Sequence, residues 1–93
     1  MLSKSPLDLS KVKKGELNKE ILRIGMIAEL DAINLYEQLA AMTEDLNIKE
    51  VLLDIAREEK THFGEFQILL LQKDEEQTKE LEEGRKEVEE RAK

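Results

Sequence analysis

The segment IKEVLLDIAREEKTHFGEFQIL, residues 48–69, decides how this chain folds. Taken at alternating steps of four and three, it yields Ile48, Leu52, Ile55, Glu59, His62, Phe66 and Leu69. An unbroken four-three rhythm is the signature of a helix that lays one seam against a neighbour. Two members of the seam do not belong in hydrocarbon. Glu59 and His62 stand three apart, so they project from the same face on successive turns.

Working outward, residues 17–43 repeat the pattern with Leu22, Gly25, Glu29, Ala32, Tyr36 and Leu39. Glu29 directly follows the apolar run Ile24-Gly25-Met26-Ile27-Ala28 and precedes Leu30. The spacing predicts a first helix over residues 17–43, with Asn18 as its N-cap. A link at residues 44–46 leads to a second helix over residues 47–73. Asn47 with Glu50 three residues on reads there as a capping-box-like start. Each helix is about 26 residues, or ~39 Å at the usual rise, and so short a link folds them into an antiparallel hairpin.

The flanks differ. Residues 1–15 read as an irregular arm, because Pro6 disfavours helix at Ser5 and Lys11, Lys13 and Lys14 crowd together. Residues 16–73 carry the hairpin. Residues 74–93 are charged, with Leu81 and Val88 the only large apolar side chains. They read as a solvated helix laced by pairs such as Glu82–Lys86 and Glu87–Arg91. The fold class is therefore all-α: a two-helix hairpin plus a C-terminal helix.

Composition narrows the function classes. A chain of 93 residues that is 40% charged and 3% aromatic has a thin aliphatic core. Packing against copies of itself is its expected route to stability. A formal charge of −7 argues against nucleic acid and anionic lipid as partners and favours cations. With no cysteine, disulfides, thiolate metal sites and cysteine nucleophiles are excluded. No apolar run approaches a membrane span, and the opening MLSKSPLDLSKVKK lacks the apolar centre of a signal peptide. A cytoplasmic location is the expectation.

Carboxylates buried in a seam carry an effective penalty of several kcal/mol unless compensated. No Lys or Arg occupies either stripe within a turn of Glu29, Glu59 or His62, and Arg57 and Lys60 point to other faces. A metal cation is the natural partner. One Glu on one helix with Glu-x-x-His on another is the ligand set of di-iron and di-manganese carboxylate bundles. A complete site needs that set twice, and His62 is the only histidine. Ligand counting thus predicts a homodimer that forms a four-helix bundle around two iron ions. Carboxylate and imidazole also suit manganese, while zinc binds without redox chemistry.

The stretch AELDAINLYEQ (28–38), followed by REEKTH (57–62), resembles the encapsulated ferritins. The resemblance spans about residues 18–74. It implies a ferritin-like bundle with Glu29, Glu59 and His62 as ligands at a dimer interface, and an annular decamer of five dimers. It also implies a ferroxidase that stores iron inside an encapsulin shell. Tyr36 corresponds to a family tyrosine beside the centre, and Asp31 to an acid on the metal's access route. Ala28 stands where relatives have a second access acid, and Leu35 where they commonly have tryptophan. Read without the resemblance, Tyr36 is an ordinary half-buried tyrosine and Asp31 a solvated acid. The rival function is a metal-free structural module that dimerises or binds a partner helix.

Overall fold

The computed structural model describes Ser10 and residues 13–92. Most of the arm expected over residues 1–15 lies outside the described residues. Helix α1 runs over Leu17–Met42, α2 over Leu46–Lys73 and α3 over Glu75–Arg91. There is no strand among the described residues, in keeping with the all-α expectation.

The helix starts differ from the sequence reading. A single 3-10 turn, Lys14–Glu16, leads directly into α1. Its bonds, Glu16 N–H to the Lys13 carbonyl and Leu17 N–H to that of Lys14, satisfy donors that a cap would otherwise serve. Asn18 is consequently inside the first turn of α1 and is not its N-cap. At α2 the cap is Asp45, not Asn47. Its Oδ1 accepts from the backbone N–H groups of Asn47 at 2.9 Å and Ile48 at 3.0 Å. The carboxylate reaches two of the orphan donors before Asn47 can serve as a cap.

A single residue, Asp74, separates α2 from α3. Its extended backbone (φ −133°, ψ 91°) breaks the helix, and its Oδ1 accepts from Gln77 N–H at 2.9 Å to start the next. The Thr78 hydroxyl donates back to the Leu71 carbonyl at 2.9 Å, satisfying one of the last carbonyls of α2. Helix α3 has no buried residue. Its ion pairs centre on Arg85, which reaches both Glu82 and Glu89, while Lys86 pairs with Glu83 rather than with the expected Glu82.

The hairpin core is narrow. Leu22, Ala32 and Ala40 of α1 meet Ala56 and Leu70 of α2, and these are the only buried apolar residues among those described. Three alanines let the two backbones approach closely. Many larger side chains stay open: Ile27, Leu30, Ile48, Val51, Ile68 and Leu69 are all at least 45% exposed. The hairpin is a layer rather than a finished globule.

Candidate metal centre

Antiparallel packing of α1 on α2 sets Glu29 opposite Glu59 and His62. One donor atom from each of the three lies within 4.8 Å of the others. His62 Nδ1 is 3.7 Å from Glu29 Oε2 and 3.6 Å from Glu59 Oε2. Both distances exceed a hydrogen bond. They match donors sharing one ion, since bonds of about 2.1 Å allow donor separations up to about 4.2 Å.

The cluster sits at the margin of the chain. The side chains of Glu29 and Glu59 are 17% and 20% exposed, and that of His62 is 47% exposed. The three therefore form an acidic notch closed on the hairpin side and open on the other.

Two further features mark the notch as a place for a cation. The Oε2 atom of Glu29 is buried and accepts no hydrogen bond, which is costly for a carboxylate oxygen. Burial also raises the Glu29 carboxyl above its ordinary value. Proton sharing with Glu59 and repulsion from its charge raise it further, and His62 offsets part of the rise. The nearby protein cations are engaged elsewhere. Lys60 pairs with Glu37 of α1 at 2.9 Å, and Arg57 pairs with Asp54 at 2.6 Å. The donor set, two carboxylates and an imidazole around an unsatisfied buried oxygen, fits a divalent ion of the iron and manganese class.

Tyr36 lies on the same face of α1 as Glu29, two turns further on, and is half-buried. Asp31 follows Glu29 by two residues, about 200° round the helix, and stands outside the cluster; it is half-buried with its Oδ2 covered, and not the solvated acid expected. The Lys60–Glu37 pair, a cross-helix tie next to Glu59, was not evident in the sequence. Its only signal was the placement of both residues off the apolar stripes.

Comparison with known proteins shows the family and the fold. Residues 20–93 match the rubrerythrin family. A ferritin-like-encapsulin shell fusion protein of Pyrococcus furiosus is 56% identical over an alignment that covers 97% of this chain. The chain spans 27% of the length of that relative. The crystal structure of the encapsulated ferritin domain from Pyrococcus furiosus superposes with a TM-score of 0.84 at 53% identity, covering 97% of this chain and 94% of that one. The chain belongs to the rubrerythrin family and, within it, to the encapsulated ferritins.

Proposed function

We propose that this chain is a ferroxidase, oxidising Fe(II) to Fe(III) with dioxygen at a two-iron site that two copies complete across a two-fold axis. The iron is the substrate. The observation that carries the reading is the convergence of Glu29, Glu59 and His62 at an open edge, with a buried Glu29 oxygen lacking any hydrogen bond. One copy supplies two carboxylates and one imidazole, half of what a two-iron carboxylate site requires.

In this reading Glu59 of each copy bridges the ions, while Glu29 and His62 are terminal ligands. Four carboxylates balance two Fe(II) ions at neutral imidazole. Oxidation of two Fe(II) passes two electrons to dioxygen and adds one positive charge per ion, a charge that hydroxide drawn from water would balance as Fe(III) passes toward mineral. Tyr36 supplies hydrogen bonding beside the ligands, and Asp31 draws cations toward the site. Manganese and zinc are substitutes that the same donors accept, zinc without turnover.

The open apolar flanks support self-association. Ile48, Val51 and Leu69 share the side of α2 that carries His62, and their burial would close the notch. Met26, Ile27 and Leu30 line a second apolar flank with Leu81 of α3, which suits the further assembly of five dimers into a ring. The fusion of the Pyrococcus furiosus relative to a shell protein supports an encapsulin compartment as the place of storage.

The test is an anaerobic Fe(II) titration followed by admission of air, read by near-ultraviolet absorbance. The expected result is a rise for the unmodified chain and none for Glu59→Ala. Native mass spectrometry with and without iron should give a metal-loaded dimer or a multiple of it. A monomer holding one metal sinks the shared site. No absorbance change in either protein favours the metal-free module.

A further inference from the structure

Gly25 lies one helical turn before Glu29 on α1, and Phe66 lies one turn beyond His62 on α2. The two meet across the hairpin. A Cβ built on Gly25 would stand 3.1 Å from each of Cε1, Cε2 and Cζ of Phe66, and these ring atoms are its three nearest neighbours. The same construction at Gly64 and Gly84 meets open space. The crowding is therefore specific to Gly25, where the far edge of the Phe66 ring fills the volume that a side chain would take.

We infer that the Gly25–Phe66 contact is a positioning element for the metal site, setting the separation of α1 and α2 at the level of the donors. This rests on the metal-binding reading above. Glu29 comes from α1, whereas Glu59 and His62 come from α2, so any change in helix separation moves one ligand against the other two. The magnitudes meet. A Cβ at residue 25 forces its neighbour to give by a few tenths of an ångström. Metal–ligand distances are held to about 0.2 Å, and a functional constellation to about 0.5 Å. A give of that size, when taken up by the separation of the helices and not by the ring alone, is as large as the tolerance.

The contact also places hydrocarbon at one end of the notch. Glycine is a poor interior helix residue relative to alanine. At this position its lack of a side chain has a geometric use that helix stability does not supply.

The test uses the full chain and three variants: Gly25→Ala, Phe66→Leu, and the two combined. Cobalt(II) is titrated without oxygen, with visible absorption reporting coordination and native mass spectrometry reporting metal count. Thermal unfolding is measured on the metal-free proteins. Gly25→Ala should bind cobalt(II) about tenfold more weakly, the lower end of the range for residues that orient metal ligands. Its metal-free melting temperature should be unchanged or higher. The combined variant should recover much of the affinity, because leucine lacks the far edge of the ring.

Unchanged affinity in Gly25→Ala overturns the inference. So does a loss of affinity accompanied by a lower metal-free melting temperature, or one that the combined variant does not recover. If the unmodified chain takes up no cobalt(II), the metal-binding reading falls and this inference with it. Normal uptake with an indifferent Gly25→Ala removes this inference alone.

Discussion

Arg23 of α1 donates from Nη2 to Oδ2 of Asp74 at 2.9 Å, across 51 positions of sequence. The other carboxylate oxygen of Asp74 caps α3. One buried side chain thus ties the corner between α2 and α3 to the first helix, and the direction in which α3 leaves the hairpin depends on it. Arg23 also pairs more loosely with Glu20, at 3.8 Å, one turn earlier on its own helix.

The tie has a pH signature. The Gln77 N–H holds the Asp74 carboxyl below its ordinary value of 3.8; burial opposes the shift, and Arg23 and the charge of Lys19 assist it. A depressed carboxyl stabilises the folded state above its ordinary value, and that contribution is lost as pH falls through the lower folded value. Asp74→Asn keeps an oxygen for the cap and removes the charge. It should melt below the unmodified chain at pH 7, with the gap closing as pH drops below the ordinary aspartate range. Melting curves across pH check this, and a gap that stays constant would show that charge plays no part.

Glu29 carries the opposite sign. Its carboxyl is raised by burial and by Glu59, so ionising it costs more in the folded chain than in the unfolded one. Metal-free stability should fall as pH rises through the carboxylate range above 4.5. Glu29→Gln should remove that dependence and raise the metal-free melting temperature at pH 7, while abolishing iron uptake. Calorimetry beside an iron titration measures both, and a variant that loses stability without metal would contradict the account.

The exposed residues along α2 can be tested without touching a ligand. Ile48 and Leu69 lie on the seam to either side of Glu59 and His62 and are 51% and 45% exposed in one copy. Burying a side chain of this size stabilises association by about 1.5–3 kcal/mol, and each residue counts twice in a symmetric dimer. Ile48→Lys with Leu69→Lys should therefore weaken dimerisation by at least about a hundredfold, and iron uptake should be lost although all three donors remain. Analytical ultracentrifugation with metal analysis reads both quantities. A monomer with full uptake would show that one chain suffices.

Much of this architecture was legible because helices reveal themselves by period. The seam from Ile48 to Leu69 and its counterpart from Leu22 to Leu39 place Glu29, Glu59 and His62 on facing sides, and the structure brings them within 4.8 Å. The helix ends were harder. Asn18 and Asn47 are good caps by composition, but a cap is chosen by where the backbone turns. The turn at Lys14–Glu16 and the earlier carboxylate of Asp45 decided that. The Arg23–Asp74 tie was invisible for a different reason: no periodic pattern links residues 51 positions apart. On α3 the expected Glu82–Lys86 pair gave way to Arg85, because one guanidinium can bind Glu82 on one side and Glu89 on the other at once.

His62 is the sole histidine, and the described residues of each chain offer a single trio of donors. In the proposed dimer a single stretch of gene therefore writes both halves of the iron pocket. A mutation cannot make one iron position tight and the other loose, as a chain with two independently varying halves could. Such a pocket evolves only in matched steps, and any asymmetry between its two ions has to come from the order in which they arrive.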